Sequence, residues 1–500
     1  MAPLSPQSTG RPARPPALAA CGKWLPPLLL VALVAGFYAG TTTNPLASDD
    51  YLLVTAAAQG PLASLRYQGG YHYYPAGMLL LSLEYSLWGT APAGYHWTGI
   101  LLLAATGLLG VALGRALGLG EPACWAAAVL LVGNGLIHEI PLWACAVLHS
   151  ASVCLYLGAL LAFLGHLRTG RRRYAVGCLL LYVLALLTHE QSLSLPVAAV
   201  LLLAVEPRWT RAKAPLLAML VVGAVFGVIK LVFNDGTDLA PGLGTGLVRS
   251  AGASLLHLLR VLVPNLSWQA AWQILDPPLV GGLKLLVRVG VVAAGVAVFA
   301  ALPRLGKLLA LWTAAHVGMM VLAIGLSSRH YLLPLVPASL LIGLLLERMA
   351  DRWPGWRRGL LVAVGVVPLL VPGIVTASAR KAVWAEAGRL ANRLLADAEA
   401  AVAARPDRPK LFVVNLPDGL DLGESEPAYI FRFGFEDALA WRFPGSAPGV
   451  ARLRSKAPPP RTEPSGRVVS DGGLAALAAD PRHLVLRYEP RSRRLVVLHP

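Results

Sequence analysis

The chain has 500 residues, of which 56% are hydrophobic and only 14% are charged. A soluble globular protein usually carries about 25% charged residues, so a water-soluble chain is excluded. The net charge of +17 would suggest a nucleic-acid partner in a soluble protein. Much of the basic excess lies in short loops between apolar stretches, where it sets membrane orientation instead. No nucleic-acid partner is therefore expected.

Residues 1–23 are rich in Pro and basic side chains and are predicted to form a cytoplasmic tail. The apolar stretch that follows, 24–40, has no convincing cleavage site before Asp49, so it is interpreted as a first membrane span and not as a signal peptide. The region 24–377 is predicted to be a multi-span membrane domain, and 378–500 a soluble domain outside the membrane.

Apolar runs of about 20 residues can cross a bilayer core of about 30 Å. We predict about eleven transmembrane helices, making the chain an α-helical polytopic membrane protein. The runs are 24–40, 95–117, 122–138, 148–167, 175–189, 191–206, 214–233, 279–302, 308–326, 331–347 and 358–377. Basic residues concentrate in alternate loops, which predicts a cytoplasmic N-terminus and an extracytoplasmic C-terminal domain. The Ala-, Arg- and Gly-rich composition favours a bacterial inner membrane.

The loop 41–94 between the first two spans is predicted to lie outside, and it carries the adjacent carboxylates Asp49 and Asp50. Its stretch 75–88 is too short to span and is interpreted as an interfacial helix. Neighbouring carboxylates perturb each other's pKa and can divide roles, one as a general base and the other orienting it or holding a cation. The alternative is a pair of solvated loop acids without a function.

Two dipeptides, His138–Glu139 and His189–Glu190, lie at span ends on the same predicted side as the aspartates. Ionisable residues at these positions are costly enough to suggest substrate binding, although simple interfacial exposure is the alternative. Trp143 is interpreted as a membrane-interface aromatic residue.

Arg329, His330 and Tyr331 begin a span on the same side. An arginine there is suited to bidentate binding of a lipid phosphate, with a snorkelling side chain as the alternative. Arg66 and His72 are weaker candidates for the same binding role. The chain has no HExxH or CxxC spacing, so no metal site is predicted, and a divalent cation such as Mg²⁺ or Mn²⁺ stays open as a cofactor.

After residue 378 the composition becomes polar, which predicts a small α+β domain. Helices are predicted over 380–404 and 427–442, a strand over 411–417 and a hairpin over 483–498.

Several motifs, in this order, resemble the GT-C class of polytopic glycosyltransferases, and within it the polyprenyl- or dolichyl-phosphate-mannose protein mannosyltransferases. SDDYLL (48–53) is followed by HYYPAGMLLLSLEYSLWG (72–89), and both are similar to the acidic loop and interfacial helix of that group. LLTHEQSLSLP (186–196) resembles its Lys-Glu-x-x-x-x-Leu-Pro segment with His189 in place of Lys. SRHYLLPLVPASLL (328–341) resembles its Arg-Tyr-x-x-Pro-x-x-Pro segment with His330 inserted.

The resemblance implies a GT-C-like fold and inverting transfer of a sugar, mannose-like or another hexose or pentose, from a polyprenyl-phosphate carrier. The acceptor would be a hydroxyl of a protein, lipid or glycan at the outer face. Asp49 or Asp50 would be the base, Glu139 and Glu190 would line the cleft, and Arg329 would hold the carrier phosphate. A transporter of a lipid-linked substrate, with Lys230 as its best buried charge, and a non-catalytic membrane anchor are the alternatives.

Overall fold

The structure is a computed structural model that describes residues 16–67, 73–233, 247–263, 265–266, 268–278, 281–323, 327–405, 410–420, 428–443, 449–456 and 464–498. Its helices up to residue 403 are α1 (Pro16–Tyr38), α2 (Asp49–Ala58), α3 (Pro61–Arg66), α4 (Pro75–Trp88), α5 (Pro92–Ala116), α6 (Glu121–Val132), α7 (Glu139–Leu142), α8 (Val147–Thr169), α9 (Arg172–Thr188), α10 (Leu195–Leu202), α11 (Trp209–Phe233), α12 (Leu247–Leu262), α13 (Trp268–Leu275), α14 (Gly281–Ala301), α15 (Arg304–Ala323), α16 (Leu332–Ala350) and α17 (Trp356–Ala403).

Six helices in the described part of the chain are long and apolar enough to cross a membrane, or seven if the bent pair formed by α6 and 135–142 is one span. The six are Trp24–Thr43, Pro92–Ala116, Ala144–Thr169, Trp209–Lys230, Ser328–Ala350 and Trp356–Ala403. The predicted class, an α-helical polytopic membrane protein with a small C-terminal sheet, is confirmed. The number of eleven spans stays a prediction.

The segment 191–206 is predicted to be one transmembrane helix, but the structure has a turn and a short helix there. A 3₁₀ turn over Glu190–Ser194 precedes α10, which has only 8 residues. Pro196 lies in the first turn of α10, where its missing N–H and fixed φ favour the start of a helix. At 1.5 Å per residue, the apolar stretch Glu190–Leu202 reaches only about 20 Å, which is short of a bilayer core of about 30 Å.

The helix α17 has 48 residues and continues through the domain boundary predicted at 377–378. Its C-terminal part packs against a five-stranded sheet with strand order β5-β4-β1-β6-β7. The elements are β1 (Lys410–Val414), β2 (Gly419–Leu420), β3 (Ala428–Tyr429), α18 (Phe435–Arg442), β4 (Val450–Ser455), β5 (Arg467–Val469), α19 (Asp471–Ala479), β6 (His483–Glu489) and β7 (Arg494–Val497).

Strand β1 pairs in parallel with β4 and β6, and β6 and β7 form the antiparallel hairpin that the sequence predicts. The predicted helix over 427–442 is shorter than expected, because β3 occupies its first residues and α18 begins at Phe435. Gly434, just before α18, has φ +75° and lies so close to the loop after α1 that a Cβ there would clash with the Ser48 carbonyl oxygen. The C-terminal region therefore sits directly on the loop that carries the two aspartates.

Candidate active site

Asp50 is fully buried and holds the loop after α1 in place. Its Oδ2 accepts a hydrogen bond from the Ala47 N–H at 2.9 Å, and its Oδ1 accepts one from the Cys145 N–H at 2.7 Å. Burial raises the pKa of Asp50 to about 7, although the two backbone donors favour its charged form. Both carboxylate oxygens of Asp50 therefore bind backbone N–H groups of the protein, one in the loop after α1 and one in the segment after α7.

Asp49 is half-buried and accepts a hydrogen bond from the Ser48 hydroxyl at 3.0 Å. Ser48 has φ +51°, an uncommon conformation for a residue with a side chain, and such strain often occurs at functional sites. Burial raises the pKa of Tyr67 to about 12, and the carboxylates of Asp437 and Asp49 add to this shift. Of the two aspartates, Asp49 is therefore the one with a partly open side chain and polar neighbours.

Glu139 and Arg329 form an ion pair, with 3.0 Å between Oε2 and Nη1, and the same oxygen accepts the Arg329 N–H at 3.2 Å. The Arg329 guanidinium lies 4.9 Å from the centre of the Trp143 ring, whose indole N–H donates to the Ala47 carbonyl at 3.3 Å. Trp143 is buried between these groups, so its interpretation as an interface aromatic is wrong. Trp143 contacts both Arg329 and the aspartate loop, which is the segment 44–50 that leads into α2, and Cys145 contacts the same loop through Asp50. One short segment therefore links Arg329 to the aspartate loop.

His138 and Tyr331 are buried and contact other parts of the protein. The His138 Nδ1 lies 3.1 Å from the Gly135 carbonyl and 3.0 Å from the Ser328 hydroxyl. The Tyr331 hydroxyl accepts a hydrogen bond from Arg260 at 3.0 Å and another contact joins it to His257. These side chains position the turn before α16 and attach α12 to it.

Glu190 pairs with Lys230, with 3.0 Å between Oε1 and Nζ, and its other oxygen lies 4.0 Å from Nδ1 of His189. His189 packs against His149 and His330, with ring-centre distances of 4.1 and 5.9 Å. Tyr74, at the start of α4, has a pKa raised by burial and further by Tyr67, Cys145, Asp49 and Glu190. Asp49 and Glu190 therefore both contribute to the raised pKa of Tyr74, although burial is the largest cause.

Of the two weaker candidates, Arg66 is exposed at the C-terminal end of α3 and does not contact this group, and His72 lies outside the described residues.

The C-terminal region covers the aspartate loop. The Ser48 N–H donates to the Ile430 carbonyl at 3.0 Å, and the Trp441 indole N–H donates to the Thr55 hydroxyl at 2.7 Å. The Tyr429 ring lies 4.9 Å from that of Trp143, next to Arg329. The site is thus bounded by the membrane helices on one side and by this C-terminal region on the other.

Sequence reasoning missed Tyr67, Tyr74, His149 and Tyr429 as members of this region, and it assigned Lys230 to the transporter alternative only. Tyr74 directly precedes the predicted interfacial helix 75–88, inside a loop already identified, and this position is a usable signal. Nothing in the local sequence around Tyr429 indicates that it packs beside Arg329.

No protein-family model matches the chain, and no curated protein matches it in sequence. Among solved structures, the chain is similar to ArnT from Cupriavidus metallidurans in the apo state, at 14% identity over 95% of this chain and 94% of that chain, with a TM-score of 0.49. It is similar to the arabinofuranosyltransferase AftD from Mycobacteria at 15% identity over 85% of this chain and 31% of that chain (TM-score 0.47). It is also similar to the oligosaccharyltransferase AglB from Archaeoglobus fulgidus, solved with an inhibitory peptide and a dolichol-phosphate, at 12% identity over 87% of this chain and 65% of that chain (TM-score 0.43).

Proposed function

We propose that this chain is an inverting glycosyltransferase of the GT-C class that transfers a sugar from a polyprenyl-phosphate carrier to an acceptor hydroxyl at the outer face of a bacterial inner membrane. The observation that carries the proposal is the segment 143–145, which contacts the aspartate loop through Cys145 and Arg329 through Trp143. One buried segment thereby contacts both a carboxylate, that of Asp50 next to Asp49, and a guanidinium, that of Arg329. These are the two groups that transfer between a phosphate donor and a hydroxyl acceptor requires.

In the proposed reaction, Asp49 accepts the proton of the acceptor hydroxyl as its oxygen attacks the anomeric carbon. The bond between that carbon and the carrier phosphate oxygen breaks, and the phosphate leaves with the bonding electrons. A single displacement inverts the configuration at the anomeric carbon. Arg329 stabilises the departing phosphate, because a guanidinium has five N–H donors and the pair with Glu139 does not use them all.

The remaining residues have supporting roles in this proposal. Asp50 fixes the loop so that Asp49 faces the cleft, while Glu139 and Glu190 line the cleft and are balanced by Arg329 and Lys230. Lys230, the charge that the transporter alternative singled out, is paired with Glu190. The sugar, mannose-like or another hexose or pentose, and the acceptor, whether protein, lipid or glycan, stay open.

The test is a transfer assay on the purified protein in lipid nanodiscs, with labelled polyprenyl-phosphate sugars and pooled acceptors. The parent is compared with Asp49→Asn and with the control Asp351→Asn, whose carboxylate is half exposed and pairs with Arg358. We expect Asp49→Asn to lose transfer by about 100-fold or more while it retains carrier binding, since general-base catalysis contributes roughly that much. Transfer by Asp49→Asn at the parent's rate, or failure of the parent to bind undecaprenyl phosphate, would contradict the proposal.

A further inference from the structure

Three histidines from separate parts of the chain meet inside the membrane domain. His149 lies in the first turn of α8, His189 follows the last residue of α9, and His330 lies in the 3₁₀ turn before α16. All three are buried, and one potential metal-binding atom of each lies within 4.8 Å of the others. The rings of His149 and His330 are 5.2 Å apart between centres.

Both ring nitrogens of His149 are buried without a hydrogen-bond partner among the described residues. Buried polar atoms are paired in the great majority of folded proteins, because leaving one unsatisfied costs its full desolvation free energy. His149 therefore has a polar group directed into the cluster that the surrounding protein does not satisfy. A ligand that accepts an electron pair from the imidazole would satisfy one of these two nitrogens.

The other two rings are oriented by contacts at Nδ1. The Gln191 N–H donates to Nδ1 of His189 at 3.3 Å. The Ser327 N–H and hydroxyl contact Nδ1 of His330 at 3.1 and 3.0 Å. In both rings Nδ1 accepts a backbone N–H, so the proton of the neutral imidazole lies on Nε2. A metal that binds through Nε2 must displace this proton, either to solvent or to Nδ1 with loss of the backbone contact, so metal binding is expected to depend on pH.

We propose that His149, His189 and His330 form a binding site for a divalent transition-metal ion, with Zn²⁺ as the ion that fits best. Imidazole nitrogens suit Zn²⁺, Cu²⁺, Fe²⁺ and Ni²⁺, whereas Mg²⁺ and Mn²⁺ prefer carboxylate and water oxygens. Three histidines with a fourth, open position are an established Zn²⁺ arrangement. With metal–nitrogen bonds of about 2.0–2.1 Å, tetrahedral ligand nitrogens lie roughly 3.4 Å apart, so small ring rotations close the present spacing.

The charges around the cluster suit a cation. Neutral imidazoles leave the charge of the ion in place. Glu190 lies beside the cluster, with one oxygen 4.0 Å from His189 and the other paired with Lys230 at 3.0 Å. Arg329 lies next in the chain to His330 but is paired with Glu139. This site is independent of the proposed transfer reaction, because it is defined by the histidines and not by Asp49.

The proposal is tested by metal binding to the full-length protein, purified through a tag without histidines and stripped with EDTA. Zn²⁺ is titrated against a chromophoric chelator, and Co²⁺ is used as a spectroscopic probe. The variants are His149→Gln and His189→Gln. His166→Gln is the matched control, since His166 lies at the other end of the same helix and contacts the carbonyls of Arg171 and Arg211.

We expect the parent and His166→Gln to bind one equivalent of Zn²⁺ and to give the visible Co²⁺ spectrum of a tetrahedral site. Each cluster variant should bind about 100-fold more weakly or worse, since even outer-shell changes cost roughly 10–100-fold in affinity. Zn²⁺ should raise the unfolding temperature of the parent and not that of the variants, which also shows that the metal-free variants are folded. Absence of Zn²⁺ binding by the parent, or equal binding by parent and cluster variants, overturns the proposal.

Discussion

Arg329 and Glu139 are ion-paired at 3.0 Å although 190 residues separate them in the chain. Glu139 is completely buried, and the Arg329 side chain is 18% exposed. The pair joins the first residue of α7 to the turn before α16, and it fixes the guanidinium over Trp143. Two parts of the membrane domain that are far apart in sequence are therefore joined at the site itself.

Removing one member of this pair should strongly destabilise the protein. We expect Glu139→Gln and Arg329→Met each to cost about 3–5 kcal/mol, because each leaves an uncompensated buried charge. The double variant should cost less than the sum of the two. Thermal unfolding in detergent measures the stability of the parent, the two single variants and the double variant. The ion pair of Glu386 and Arg389 is the control, and its interaction energy should be less than about 1 kcal/mol. Additive effects at Glu139 and Arg329 would show that the two side chains are not coupled.

Asp50→Asn should lower stability more than Asp49→Asn. An asparagine offers one carbonyl oxygen, so its amide group would face the N–H of either Ala47 or Cys145 and leave that donor unsatisfied, at about 1–3 kcal/mol. Asp49 is half-buried and accepts from a neighbouring hydroxyl, so its change should stay within about 0.5 kcal/mol. Unfolding at pH 8, where the Asp50 carboxylate is ionised, makes this comparison, and equal losses would contradict it.

Glu84 should make stability depend on pH. Burial raises its pKa from 4.5 to about 8, so the folded state holds a proton that the unfolded state releases. The stability that Glu84 contributes is present in full below pH 4.5 and is lost as the pH rises through about 8. The unfolding temperature of Glu84→Gln, relative to the parent, should therefore increase between pH 5 and pH 8.5.

The control for Glu84 is Glu399→Gln, because Glu399 is 42% exposed and lies 3.8 Å from Arg442. The difference in unfolding temperature between Glu399→Gln and the parent should change little over the same pH range. If the difference in unfolding temperature between Glu84→Gln and the parent did not change with pH, the carboxyl group of Glu84 would be hydrated in the folded parent.

Gly434→Ala should loosen the C-terminal region from the aspartate loop. The residue has φ +75°, and the added Cβ would clash with the Ser48 carbonyl oxygen and lie 3.1 Å from the Leu52 N, both backbone atoms that cannot rotate away. We expect faster hydrogen exchange in α2 and over 428–443. Gly449→Ala is the control, since no atom lies within 4 Å of the position that its Cβ would take. Unchanged exchange in Gly434→Ala would contradict this contact.

Apolar runs and basic loops predicted which residues share one end of the membrane domain. Consecutive spans alternate in direction, so His138–Glu139, His189–Glu190 and Arg329–His330 all fall at ends on the same side, and the structure brings side chains from all three together. Their roles in catalysis and binding stay predictions.

The sequence could not predict which of Asp49 and Asp50 is buried and bound by the backbone. That depends on which carboxylate accepts the Cys145 N–H, a contact between residues 95 positions apart. The same holds for the histidine cluster. Its members occur singly in the sequence, and no short-range spacing marks residues that only the packing of three helices brings together. The pairing of Lys230 with Glu190 likewise depends on the approach of α11 to the turn after α9.

The helix α17 runs without a break from Trp356 to Ala403, about 72 Å at 1.5 Å per residue. The number of residues between its two ends therefore fixes the rotation of one end relative to the other about the helix axis. Each residue added or removed between them would turn the C-terminal region by about 100° relative to the membrane helices, and shift it by about 1.5 Å. Tyr429 would then no longer face Trp143, so the number of residues in this helix, as well as their identity, determines whether the site is closed.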